Sequence, residues 1–178
     1  LRGPNAIRGV CEWSRGACPT IPHDATVFCR HGGAQQFNIG WAREAVVEVA
    51  NRSVSDGTKI YFAFLTTSAC ASSFCLCAPH NCPHERVILL PPETDKHTFI
   101  RTCDAMLHAR KEGETFGLAI GEFAVANKPI ITANFSRRID QTKLEHHAIL
   151  GATGVYYRNK SALIQILLDF DRTDAIRH

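Results

Sequence analysis

Residues 103–132, CDAMLHARKEGETFGLAIGEFAVANKPIIT, constrain the fold more than any other stretch of the chain. A short apolar run leads into a polar turn with Gly113, then a helical segment and a second apolar run. Strand, turn, helix and strand in that order build a parallel α/β sheet. Between residues 117 and 126 nearly every side chain is apolar, so this helix is expected to be buried almost all round. Its one charge is Glu122. A buried carboxylate is costly without a partner, which here is either a protein group or a ligand hydroxyl.

Glu114 stands eight residues earlier, in the turn before the helix. The amides of Thr115, Phe116, Gly117 and Leu118 fall at the helix start. There, unpaired N–H groups and a partial positive charge suit a phosphate. Gly117 would let a ligand approach the backbone closely. Taken alone, Glu114 also fits as a charge set against the helix dipole.

The rest of the chain repeats the alternation. Strands are expected at 25–29, 59–66, 85–90, 104–108, 129–133 and 154–157, and helices at 40–51, 94–102 and 161–170. The polar stretch 134–145 is expected to cross over as a loop or short helix, and His146 and His147 to lie on a solvated surface. The fold class is therefore α/β: a Rossmann-like open parallel sheet of about six strands with helices on both faces. Residues 1–25, broken by Gly3, Pro4, Gly9, Gly16, Pro19 and Pro22, read as an irregular N-terminal segment or linker. Residues 26–178 read as one domain.

The first strand opens into Arg30-His31-Gly32-Gly33 and then a helix, the usual phosphate-side geometry of doubly wound sheets. This is not GxGxxG with an acidic residue about 20 positions on, which counts against NAD. His108 and Arg110 fall at the carboxyl end of the fourth strand, where open α/β sheets bind ligands. Arg110 or Lys111 could supply phosphate-binding charge.

A net charge of +3 is too small to make nucleic acid the main partner. The eight cysteines are unevenly spaced and read mostly as small core residues and free thiols rather than a disulfide framework. Cys70, Cys75, Cys77, Cys82, His80 and His84 are dense in soft donors. Their spacing is tighter than that of structural zinc sites, so a variable loop is expected and no metal. No apolar run approaches the ~18 residues of a membrane span, and no secretory signal shows. The expectations are a cytoplasmic location and, since the chain opens on Leu1, a fragment or processed form.

Glu114 and Glu122 form E-x7-E inside GETFGLAIGEF, followed by NKPII. This resembles the C-terminal, donor-binding half of GT-B glycosyltransferases, in particular the large retaining family 4. The resemblance covers about residues 27–170. It implies one half of a GT-B fold, and transfer of a sugar from a nucleotide diphosphate sugar, with retention and without a mandatory metal or cofactor. Glu114 would contact the transferred sugar, Glu122 would hold the ribose hydroxyls, and the turn amides of Thr115, Phe116 and Gly117 would take the diphosphate. Arg30 matches the arginine that often follows the first strand, with Gly33 in the same loop. The lysine usual a few residues later is absent from Ala34-Gln35-Gln36-Phe37. The candidate catalytic residues are thus Glu114, Arg30 and His108, and the donor-binding residues Glu122, Thr115, Phe116, Gly117, Gly33 and Arg110. Such enzymes bind the acceptor on a second domain, so the expected partners are a nucleotide sugar, an unknown acceptor and a missing N-terminal acceptor domain. A non-catalytic nucleotide-sugar-binding or protein-interaction module is the alternative.

Overall fold

The structure is a computed structural model that describes residues 21–33, 36–65, 85–90, 92–114, 117–134 and 145–172. Among these, six strands form one parallel sheet: β1 (Thr26–His31), β2 (Ile60–Leu65), β3 (Val87–Leu90), β4 (Ala105–His108), β5 (Ile130–Ala133) and β6 (Val155–Tyr157). Their spatial order is β3-β2-β1-β4-β5-β6. The order reverses between β1 and β4, and the carboxyl ends of those two strands flank the crevice where open sheets bind ligands. The α/β, Rossmann-like expectation holds.

Strands buried on both faces read as continuous apolar runs. All six residues of β2 are buried. Helices cover both sides. On one face α1 (Gly40–Ser55) packs against α5 (Lys160–Leu168), over Phe28, Phe62, Phe64, Leu107 and Ile131. Phe28 stacks on Phe62 with centroids 5.7 Å apart. The other face carries α2 (Lys96–Thr102) and α3 (Leu118–Val125) over Val27, Tyr61, Met106 and Ile130. Side-chain caps fix two helix starts: Asp95 accepts from the Thr98 amide and Asn159 from the Ala162 amide. The short helix α4 (Glu145–Leu150) and a 3-10 turn, Gly151–Thr153, lead into β6.

Three expectations need correction. The helix α3 is not buried all round: only Ile120 and Phe123 are buried, while Leu118 is 73% and Val125 89% exposed. Cys29 and Cys103 are not free thiols but a disulfide with Cα atoms 5.7 Å apart. Parallel pairing of β1 with β4 brings the two together, since Cys29 is in register with Met106, three residues beyond Cys103. His146 is not on a solvated surface; it is 1% exposed. The 1–25 segment falls almost wholly outside the described residues, as does the cluster between Cys70 and His84.

Candidate functional site

β1 runs two residues further than its apolar run suggests and takes in Arg30 and His31. Successive strand residues point to opposite faces. Arg30 therefore serves one half of the crevice and His31 the other.

Arg30 is 2% exposed, and its guanidinium donates to the Gly33 carbonyl at 2.9 Å and lies 5.7 Å over the Phe37 ring. It thus ties down the glycine turn from beneath. Burial pushes it down to about 10, with Glu114 opposing, so it stays charged at neutral pH. Gly32 has φ +129°, and a Cβ there would sit 2.8 Å from the Gln36 side-chain oxygen, so the tight turn depends on glycine.

On the sheet face that Met106 and His31 share, His108 at the end of β4 is held by three contacts. Its Nδ1 is 2.8 Å from Thr132 Oγ1, its Nε2 is 3.4 Å from Glu114 Oε1, and its carbonyl accepts the Tyr157 hydroxyl at 2.6 Å. Burial lowers its pKa against the pull of Glu114, leaving a neutral imidazole. Glu114 also receives Arg110 Nη1 at 2.7 Å. Burial alone would raise the carboxyl, but His108 and Arg110 outweigh it and the pKa is lowered. Arg110 is the cation in direct contact with Glu114, and the charged Arg30 also interacts with it. His146 packs against His108. Its ring is 5.2 Å from that of His108, and its Nδ1 has no hydrogen-bond partner among the described residues. Burial, then His108 and His147, push it down to about 4.

The turn carrying Glu114 is clasped to the loop after β1. Ala109 O accepts the Asn38 and Ile39 amides at 3.0 and 3.3 Å. The Asn38 side chain accepts from the Lys111 amide and donates to Glu112, both at 2.7 Å. Gly117 then starts α3 with φ 69° and ψ 58°, and no side chain caps the helix. A Cβ at Gly117 would approach Ile120 Cδ1 to 3.3 Å. Thr115 and Phe116 lie outside the described residues.

Glu122 makes a separate set of contacts, with His31 and Lys96. Its side chain is 35% exposed rather than buried. His31 Nε2 approaches Oε2 to 2.7 Å, close but not aligned as an ideal hydrogen bond, and Lys96 Nζ donates to Oε1 at 2.5 Å. The His31 ring stacks on Phe123, with centroids 5.6 Å apart and planes at 17°.

The structure therefore brings Arg30, His108, Arg110 and Glu114 into one cluster, with Gly33 on Arg30. Glu122 sits apart from them, in a second cluster with His31 and Lys96. His31, Lys96, Asn38, Thr132 and His146 escaped the sequence reading. Strand alternation was a signal for His31; nothing local signals Lys96, which is 26 residues from Glu122. Among the described residues no group of three or more His, Cys, Asp or Glu could hold a metal, and no helix is long and apolar enough to cross a membrane.

No family model matches the chain, and no curated protein sequence does. Solved structures do. A co-structure of MnaA from S. aureus with UDP aligns with TM-score 0.56 at 18% identity, over 86% of this chain and 39% of that one. An apo structure of OtsA aligns with TM-score 0.61 at 9% identity, over 88% and 38%. A variant of S. aureus TarM, in complex with Fondaparinux, alpha-GlcNAc-glycerol and UDP, aligns with TM-score 0.59 at 12% identity, over 87% and 31%. These neighbours are GT-B proteins, and at such identities the likeness defines the fold: this domain is a Rossmann-like half of the GT-B type. The chain spans 31 to 39% of the length of those three structures.

Proposed function

We propose that the chain is the donor-binding half of a retaining glycosyltransferase resembling family 4, and that it binds a nucleotide diphosphate sugar. One observation carries this reading. Glu114 and Glu122 lie on either side of the uncapped start of α3, at the point where the sheet order reverses. Glu114 would orient the transferred sugar and Glu122 grip the ribose. The amides of Thr115, Phe116 and Gly117 would take the diphosphate, with the Gly33 turn opposite. Negative charge grows on the diphosphate as the glycosidic bond breaks, and preorganised donors stabilise it. Arg30 and Arg110 would supply the positive charge nearby, and neutral His108 a fixed donor or acceptor beside Glu114. No metal or cofactor is required in this scheme. Uridine diphosphate is the first nucleotide to try, because UDP is bound in the MnaA and TarM structures.

Transfer to an acceptor would call for a second domain or a partner chain, and the isolated chain is expected to bind donor but to transfer slowly or not at all. Incubation with UDP-sugars and a panel of acceptors tests this, and robust transfer by this chain alone would refute it. The cytoplasmic location expected from the sequence is weakened by the Cys29–Cys103 bond, since disulfides persist mainly in oxidising compartments.

A second reading has one observation in its favour. Glu122 is already paired with His31 and Lys96, as it would be in a non-catalytic interaction module. In that case Glu122→Ala would alter stability and leave nucleotide affinity untouched.

A further inference from the structure

We propose that His31 is a positioning residue that turns Glu122 into an acceptor for a sugar hydroxyl through one defined oxygen. The inference rests on the donor-site reading above and adds how this chain aims its carboxylate.

The two oxygens of Glu122 are not equivalent. Oε2 points inward, has no solvent exposure and lies 2.7 Å from His31 Nε2. Two lone pairs at that distance would repel, so Nε2 carries the proton, and it touches the carboxylate in an off-axis contact rather than along an ideal hydrogen bond. His31 is itself fixed: its side chain is only 10% exposed, its ring stacks on Phe123, and its backbone belongs to the parallel ladder, opposite Leu65 of β2. Such a support does not move when a ligand arrives. Oε1 is the outer oxygen. Its neighbour is Lys96 Nζ, on a side chain that is half exposed and free to swing. A ligand hydroxyl can therefore reach Oε1 beside Lys96 or in its place, while Oε2 stays held.

This division of labour makes the recognised chemistry a hydroxyl donor on the ligand rather than a cation or an apolar group. In a nucleotide the matching group is the ribose diol. Without His31, the inner oxygen would be buried with no N–H beside it, and the carboxylate would rotate toward Lys96 and solvent. The acceptor would then lose its aim even though Glu122 remained.

The test is calorimetric titration with UDP, 2′-deoxy-UDP and 3′-deoxy-UDP on the wild-type chain, His31→Phe, His31→Gln and Glu122→Ala, with folding checked by circular dichroism. Phenylalanine keeps the stack on Phe123 and removes the N–H; glutamine restores an N–H donor. A hydrogen bond to a charged group predicts that the wild type prefers UDP over at least one deoxy form by about tenfold or more. The preference should collapse to about onefold in His31→Phe and return in His31→Gln. A purely structural role would lower stability in His31→Phe and leave the ratio intact. An unchanged ratio in His31→Phe or, where that variant does not fold, a ratio lost in His31→Gln overturns the proposal while leaving the donor site standing. A wild type that binds none of UDP, GDP and ADP, or a ratio insensitive to Glu122→Ala, overturns the donor-site reading and this inference with it.

Discussion

Replacing both Cys29 and Cys103 with alanine tests the link between β1 and the entry to β4. The bond closes a loop with a sequence separation of 74 residues. In the chain-entropy account, a closed loop of that length restricts the unfolded chain by about 4 kcal/mol at 25 °C. For a domain of this size, about 1 kcal/mol moves Tm by roughly 2–4 °C, so the double variant should melt about 10 °C lower. Both cysteines are fully buried, so the paired alanines also remove a little packing in the same direction. Urea unfolding followed by circular dichroism measures the effect. The double variant is preferable to adding reductant, because the chain has other cysteines. A midpoint equal to that of the wild type would refute the cross-link's contribution. Alkylation of Cys29 and Cys103 in denaturant without reductant would refute the bond itself.

Other outcomes follow from single groups. His146, pushed from 6.5 to about 4, is neutral in the folded state while the unfolded chain takes up a proton below pH 6.5. Its folded pKa is depressed, so stability is full above about 6.5 and falls as pH drops toward 4. His146→Leu should flatten that part of the acid limb, by up to about 3 kcal/mol, in urea midpoints taken across the range; an unchanged limb would contradict the burial. Gly117→Ala forces a Cβ into the left-handed region against Ile120, and is expected to cost about 1–2 kcal/mol in thermal melts. Asp95→Ala removes the acceptor for the Thr98 amide and should cost about 1 kcal/mol by the same measurement; no change would mean that α2 does not depend on its cap.

The sheet was legible because each strand is a dense apolar run between polar breaks. Every strand of the structure overlaps its expected position, and β2, IYFAFL, is the plainest case. Glu114 was also expected in the turn before α3 and Glu122 within the helix, and the structure has them there. What failed was non-local or environmental. Apolar composition describes a side chain and not its neighbours, so Leu118 and Val125 were expected inside although no described residue covers them. Cys29 and Cys103 meet because β1 and β4 are neighbours in space, a fact absent from their separation in sequence. Lys96 reaches Glu122 from a different helix. His146 was read as exposed from its histidine pair. Yet one side of α4 faces His108 and the other solvent, and adjacent helix residues do not share an environment.

Calorimetric titration of the folded chain with UDP, GDP and ADP, each with and without an attached sugar, repeated on Glu122→Ala, tests the central claim most directly. Binding of one nucleotide by the wild type, falling at least about tenfold in the variant, is the predicted result, since one charge-assisted hydrogen bond is worth that much. Equal affinity in the two proteins, or no binding of any of these nucleotides by the wild type, would contradict a donor site built on Glu114 and Glu122.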